Sequence, residues 1–471
     1  MTNEEWNKIN NSHSSAIVAP AGHGKTEMIT EIINRSSGKH LILTHTNAGV
    51  DAIQKRMAKK KISSDRFKVE TIASFCIRWC NAYFNTSQID LSLSPSDRKY
   101  YNQFYTGAKI LFQNEWAGNI LKLTYSRVIV DEYQDCTLKH HAVIKELEKY
   151  LQVIVLGDPL QGIFSFKDPL VDWSNLGYPI IKVKTYPWRW EKTNKVLGEY
   201  LNILKNQLWP TLSGKKCSIS ISNNPNISII NPHNFDIYKL LPELQNFSSV
   251  IYVTKWEKQQ LEFCKRWGGL FQMDEKLDCN ELFKYASFFD DNTGCKLALS
   301  ALYFAHECAT KVSTELKSYF ENLQKDRCNF SRITKHKNIG SKIKLLCTTS
   351  NLNSLYELLS CFKDLPDFKI YRKELYYEML RSIKYALEHN VSISDGANHI
   401  RRDLHLQKRY TQFKFLSTRT LLSKGLEFDC VIIDMSDSDM KNRLNAKEFY
   451  VAMTRAMKKI YIISDTSQLS F

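Results

Sequence analysis

The stretch Ala16-Ile-Val-Ala-Pro-Ala-Gly-His-Gly-Lys-Thr26 constrains this chain more than any other. It reads as a short apolar strand, a glycine-bearing loop and a helix beginning near Thr26. The loop Ala19, Pro20, Ala21, Gly22, His23 and Gly24 would turn inward the backbone N–H groups of every residue but Pro20, which has none. With the helix N-terminus behind them, these form a cradle for phosphate. Lys25 is placed to reach the β- and γ-phosphates of a nucleotide, and the Thr26 hydroxyl to take a Mg²⁺ position. A Gly-x-Gly turn alone arises by chance; the Gly-Lys-Thr ending is what makes the signal specific.

Around this loop the N-terminal third alternates apolar strands with helical patterns, which implies a parallel sheet with crossover helices. The strands are expected at Ala16–Val18, Leu41–Thr44, Lys68–Thr71, Arg127–Val130 and Gln152–Leu156. Ligand chemistry gathers at the C-terminal edge of such sheets.

Three of these edges carry chemistry. After Thr44-His-Thr-Asn47 a helix is expected, with Ala48, Ala52, Ile53 and Met57 as its buried stripe. Thr46 and Asn47 at its start suit either a backbone phosphate or helix capping, and the two uses are compatible. The strand Arg127-Val-Ile-Val130 ends in Asp131-Glu-Tyr-Gln-Asp135. Asp131 can hold a metal through water while Glu132 orients and deprotonates an attacking water. One strand later, Gly157-Asp-Pro-Leu-Gln161 offers the Gln161 amide to a γ-phosphate or its attacking water. Phe164 and Phe166 alternate just beyond it; such phenylalanines are either core residues or faces on which bases stack.

Composition narrows the partner. The formal charge is +16 over 471 residues, a balance that favours a polyanion, most simply nucleic acid. No run of about 18 apolar residues is present, so no membrane-spanning helix is expected. The polar, acidic Met1-Thr-Asn-Glu-Glu-Trp6 is unlike a signal peptide. The twelve cysteines are scattered, with no Cys-x-x-Cys pair; Cys76 and Cys80, one helical turn apart, read as core. A reduced cytoplasmic chain without a zinc or iron–sulfur site is the expectation.

Taken in order, these segments resemble the UvrD/Rep/PcrA branch of superfamily 1 DNA helicases. The resemblance continues through Tyr186-Pro-Trp-Arg189, Ser423-Lys-Gly-Leu-Glu-Phe-Asp429 and Tyr450-Val-Ala-Met-Thr-Arg-Ala456, and so spans almost the whole chain. The branch typical of RNA helicases is disfavoured, because Leu-Pro-Pro does not follow Gln161. The resemblance implies an α/β protein of two RecA-like parallel-sheet lobes with ATP between them and single-stranded DNA across both. It implies ATP and Mg²⁺ as cofactors, and Glu132, Gln161, Arg189 and Arg455 as the catalytic set. Both arginines would reach the γ-phosphate from the second lobe; guanidinium is permanently charged and spreads several donors over phosphate oxygens. Glu427 would accept from the ribose hydroxyl and Gly425 allow close backbone approach. Phe75, Phe164 and Phe166 join Thr46 and Asn47 as the DNA-binding set.

The lobes are expected at 1–80 with 126–185, and at 186–275 with 411–471. Insertions, reduced for the family, fall at 81–125 (small) and 276–410 (helical). Other departures lie outside the phosphate chemistry. Glu5 or Trp6 stands near the place of an adenine-reading Gln, Ala73 stands where a His often sits, and Thr420-Leu-Leu-Ser423 replaces Thr-x-His. The basic cluster Arg401, Arg402, Lys408 and Arg409 is either a phosphate contact or a solvated face.

The expected activity is ATP-dependent translocation on single-stranded DNA, 3′→5′ by resemblance, in antiphage defence or DNA repair. A compact helicase of this branch also resembles the helicase-like subunit of Gabija-type antiphage systems, which would imply an OLD-type nuclease or another defence or repair protein as partner. The alternative is a regulatory nucleotide- or DNA-sensing ATPase subunit of a nuclease complex, without processive unwinding. A small-molecule P-loop kinase is a weak third, because it leaves the two arginines and the Gln161 motif unexplained.

Overall fold

The computed structural model describes residues 1–93, 99–164, 168–221, 224–275, 280–406 and 413–471, without the side chains of 402–406. Phe166, Lys408 and Arg409, and the side chain of Arg402, lie outside the described residues. The chain divides into two compact units. One comprises Met1–Ile229, Leu444–Ile460 and Thr466–Phe471; the other comprises Ile230–Arg443 and Tyr461–Asp465.

The first unit is built on a six-stranded sheet. Its strands are β1 (Ser14–Val18), β2 (His40–Thr44), β3 (Phe67–Thr71), β4 (Arg127–Val130), β5 (Gln152–Gly157) and β6 (Ile180–Ile181), in the order β3-β2-β4-β5-β1-β6. All its pairs run parallel, with Ala16 opposite Val155 and Ile129 opposite Ile154. A parallel sheet is covered on both faces, so its strands read as unbroken apolar runs. Leu41, Leu43, Val128, Val130, Val153 and Val155 turn toward one layer, which includes Phe75 and Phe112. Ile17, Ile42, Ile129, Ile154 and Leu156 turn to the other, against Ile29, Ile32 and Ile33 of helix Lys25–Arg35. The period-two alternation thus sorts the sheet between two layers.

Residues 81–125 are helical over Phe84–Ser87, Tyr100–Phe112 and Glu115–Thr124. Phe104, Leu111, Phe112 and Leu121 join the first unit's core, so this segment is part of that unit's packing. Segments 186–229 and 444–460, expected with the second lobe, also belong to the compact unit that holds the phosphate loop. Trp190 explains the difference: it is fully buried, donates its indole N–H to the Ala456 carbonyl at 2.7 Å, and packs on Gly22.

Beyond the first sheet run β7 (Ser218–Ser220), β8 (Ile227–Ile230), β9 (Val250–Thr254), β10 (Gln272–Met273), β11 (Phe415–Arg419), β12 (Phe428–Asp434), β13 (Ala456–Ile463) and β14 (Gln468–Ser470). A second six-stranded sheet has the order β10-β11-β9-β12-β13-β8, parallel across β10, β11, β9 and β12, while β7 and β14 form an antiparallel pair. Between β10 and β11 lie mainly helices, including Gly294–Cys308, Lys337–Thr349 and Lys373–His389, around a core containing Leu302, Phe304, Leu358 and Tyr376. Where this insertion starts, buried Arg372 bridges Glu275 and Glu281 at 3.3 and 3.4 Å. The fold is therefore α/β, two six-stranded sheets with helical insertions. Among the described residues no helix is long and apolar enough to cross a membrane.

Candidate nucleotide site

The loop after β1 turns on two glycines. Gly22 and Gly24 have φ of +70° and +85°, a region that side chains disfavour. A Cβ on Gly22 would also lie 2.8 Å from both Arg189 Cβ and a ring carbon of Trp190. Gly24 caps helix Lys25–Arg35, whose first N–H groups face the loop. Between the glycines, His23 is buried, its Nδ1 2.7 Å from the Ala21 carbonyl; burial takes its pKa down to about 4, so the loop carries a neutral imidazole. Ala19, Pro20 and Ala21 are buried and Thr26 half-buried.

Lys25 Nζ sits 3.4 Å from Glu132 Oε1. Burial pulls the pKa of the ammonium down, but the carboxylates of Glu132, Asp131 and Asp158 outweigh it and hold that pKa above the usual value. Asp131, at the end of β4, is buried beside Glu132; burial first, then that neighbour's charge, lift its pKa to about 7. A buried carboxyl in such a field is stabilised in its charged form by a cation, and Thr26 adds a neutral oxygen. The donor set therefore fits Mg²⁺, a hard ion that takes oxygen ligands. Glu132 has the left-handed backbone (φ +52°) that non-glycine residues rarely adopt, a strain typical of functional turns. Its carboxylate also accepts from the Gln134 amide, and Gln134 accepts in turn from the Asp158 N–H at 2.9 Å.

Asp158 is the hub that sequence reasoning missed. Fully buried, it accepts from the Ala21 N–H of the loop at 3.0 Å and from the Gln161 amide at 2.8 Å, and Tyr450 donates its hydroxyl to it. Gln161 then accepts from Arg455 Nη2 at 3.4 Å. Arg455 is buried, with Nε on the Val451 carbonyl at 3.0 Å and Nη2 on Thr454 Oγ1 at 3.0 Å. Arg189 donates its backbone N–H to the Gly22 carbonyl at 3.1 Å and Nη1 to the Thr454 carbonyl at 2.9 Å. Loop, carboxylate pair, Gln161 and both arginines thus lie within one compact unit. Trp188 was missed too: 59% exposed, its ring lies 3.2 Å from where a Cβ on Gly24 would stand, and Tyr186 packs edge-on against it. Its place beside Arg189 in the quoted motif was the available signal.

The residues expected to meet nucleic acid are placed differently. Thr46 caps helix Asn47–Lys59, accepting from the Gly49 N–H at 3.0 Å, and both Thr46 and Asn47 are exposed. Phe164 is 40% exposed. Phe75 is a correction: it is fully buried and stacked on Phe112, because the helix Tyr100–Phe112 covers it, and it cannot face a base. Arg401 is committed to Glu378 at 2.9 Å within its own unit, and is not a free phosphate contact. Gly425 and Glu427 are exposed on the turn before β12, in the second unit. Glu5 accepts from the Lys184 N–H at 2.6 Å, and Trp6 lies against Arg127.

Comparison with known proteins follows the same lines. An AAA domain model matches residues 3–167, and a UvrD-like helicase C-terminal domain model matches residues 422–463. No curated protein sequence matches the chain. Among solved structures, it is similar to the Arterivirus nonstructural protein 10 helicase in complex with DNA (10% identity, TM-score 0.36, covering 97% of this chain and 62% of that one). The PRRSV helicase is similar at 10% identity and TM-score 0.36, with 98% and 54% covered. The chain thus spans less than two thirds of the length of these helicases.

Proposed function

We propose that the chain, which matches an AAA domain model and a UvrD-like helicase C-terminal domain model, is a UvrD-like superfamily 1 helicase that hydrolyses ATP to move along single-stranded DNA. The observation that carries this reading is the buried relay from Ala21 N–H through Asp158 and Gln161 to Arg455, which ties the phosphate loop to an arginine in the UvrD-like segment.

The chemistry follows from these contacts. Without nucleotide, Lys25 neutralises Glu132. Arriving phosphates offer Lys25 a denser negative charge, so it leaves Glu132 free to accept a proton from water. That water's oxygen attacks the γ-phosphorus, the bond to the β-phosphate oxygen breaks, and the proton passes to Glu132. Mg²⁺ held by Thr26 and Asp131 would neutralise charge on the transferring group. Gln161 positions the water or the γ-phosphate, while Arg189 and Arg455 stabilise the charge that spreads over its oxygens. Trp188 offers an exposed indole at the loop mouth for the base of the nucleotide.

Movement comes from coupling. The Asp158 relay shifts when a γ-phosphate competes for Gln161 and Arg455, so the state of the nucleotide reaches the UvrD-like segment. Thr46, Asn47 and Phe164 are the contacts offered to the strand; 3′→5′ polarity, and a role in antiphage defence or repair beside a nuclease, rest on the family resemblance. The test is steady-state ATP turnover with and without single-stranded DNA. Several-fold stimulation, with DNA affinity that falls as salt rises, supports the motor. Turnover indifferent to DNA but raised by a co-purified protein rejects it in favour of a regulatory ATPase subunit.

A further inference from the structure

Three borderline-soft donors converge beside the carboxylate turn, each from a different element. His45 follows the last residue of β2, Cys136 follows the turn Tyr133–Asp135, and His140 lies in the first turn of helix Leu138–Glu148. One ligand atom from each lies within 4.8 Å of the others, and Cys136 Sγ is already 3.4 Å from His45 Nε2. Around a tetrahedral zinc ion, sulfur and nitrogen ligands stand about 3.5 Å apart given bonds of about 2.3 and 2.0 Å. One edge of the polyhedron is therefore preformed, and the other donor pairs already lie within 4.8 Å.

We propose that His45, Cys136 and His140 bind a divalent transition-metal ion of the zinc class, with water completing the tetrahedron. Two imidazoles and one thiolate select such an ion over Mg²⁺ or Ca²⁺, which demand oxygen. The surroundings suit it: Cys136 is fully buried, and Tyr105 packs edge-on against His140 at 4.5 Å. Cys136 and His140 stand four residues apart, but His45 comes from the end of β2, so linear spacing alone does not announce the three-ligand set. His140 Nδ1 accepts from the Thr137 N–H at 3.2 Å. Ligation through Nε2 puts a proton on Nδ1, so metal binding gives up this cap bond. The ion would clip the residue preceding Thr46 to the residue following Asp135, joining the start of helix Asn47–Lys59 to the carboxylate turn.

The experiment uses the full-length chain, chelator-stripped under reducing conditions and titrated with Co²⁺, then Zn²⁺. One equivalent should give a thiolate-to-Co²⁺ charge-transfer band and tetrahedral d–d bands, both erased by Zn²⁺, and Zn²⁺ should raise Tm. Cys136→Ser should remove the charge-transfer band. His45→Asn, at a half-exposed position, should weaken Zn²⁺ binding at least tenfold and abolish the Tm shift. A chain that takes up no Co²⁺ overturns the proposal and leaves a plain thiol–imidazole hydrogen bond. So do spectra and a Tm shift unchanged in His45→Asn, which would place the ion on other cysteines.

Discussion

At the nucleotide edge of the first sheet, Asp158, Gln161 and Arg455 are buried and bonded in series, while Thr46 and Asn47 beyond β2 and Phe164 beyond β5 stand exposed. A γ-phosphate has fixed geometry, and stabilising its transition state requires donors already held in place in a low-dielectric setting. Under the proposed function a sliding strand would present one phosphate and base after another, so its contacts would have to stay accessible and easily remade. The contrast makes a definite claim: substitutions among the bonded residues should abolish chemistry, whereas substitutions among the exposed ones should change affinity alone.

The largest effects test the first half of that claim. Lys25→Ala and Glu132→Gln should each lower ATP turnover by more than about a hundredfold. Glu132→Gln should still bind nucleotide, since Lys25 and the loop are untouched. Near-normal turnover in Glu132→Gln would remove Glu132 as the base. Next in size is Phe75→Ala, which empties a site packed against Phe112 and Trp79 and should cost roughly 3–5 kcal/mol of stability, read by denaturant titration. A small loss there with weakened DNA binding would return Phe75 to the nucleic-acid face.

Phe75 also shows where sequence stops being legible. Strands β1 to β5 of the first sheet could be read to within a residue or two, because burial on both faces leaves continuous apolar runs such as Val128-Ile-Val130. The two-residue edge strand β6 (Ile180–Ile181) went unread. The phosphate loop and carboxylate turn were legible because their chemistry demands fixed residue types at fixed spacing. Whether Phe75 faces solvent depends on a helix that starts 25 residues later, and nothing local to Phe75 encodes that contact. The Asp158 relay and the cluster at His45, Cys136 and His140 were invisible for the same reason: each is completed by residues distant in sequence, Ala21 and Arg455 in the first and His45 in the second. The grouping of Arg189 and Arg455 with the loop likewise depends on Trp190 reaching the Ala456 carbonyl.

A smaller effect probes how tightly the nucleotide edge is built. Burial holds His23 neutral to about pH 4, against an ordinary value of 6.5. Between those values the unfolded chain takes up a proton that the folded loop refuses, so the His23 contribution to stability is lost as pH falls from 6.5 toward 4. Asp131, raised to about 7, acts in the opposite direction over much of that range, so only the difference between wild type and variant isolates the histidine. His23→Asn should lose less stability than wild type on moving from pH 7 to 4.5, by roughly 2 kcal/mol. Parallel pH profiles would mean that the imidazole is solvated and the loop looser than its contacts indicate.

The smallest effect falls on the exposed side. Phe164→Ala removes a ring that is 40% exposed, so little core packing is lost and Tm should hardly move. If bases stack on that ring, single-stranded DNA affinity should fall by about 1–3 kcal/mol, measured by fluorescence anisotropy at fixed salt. ATP turnover without DNA should stay at the wild-type level, while the DNA concentration giving half-maximal stimulation rises in step with the affinity loss. That pattern would separate strand contact from phosphate chemistry at a position only three residues beyond Gln161. Lost DNA-free turnover would mean instead that Phe164 supports the Gln161 amide, and the division between bonded and exposed residues would fail at the point where they lie closest in sequence.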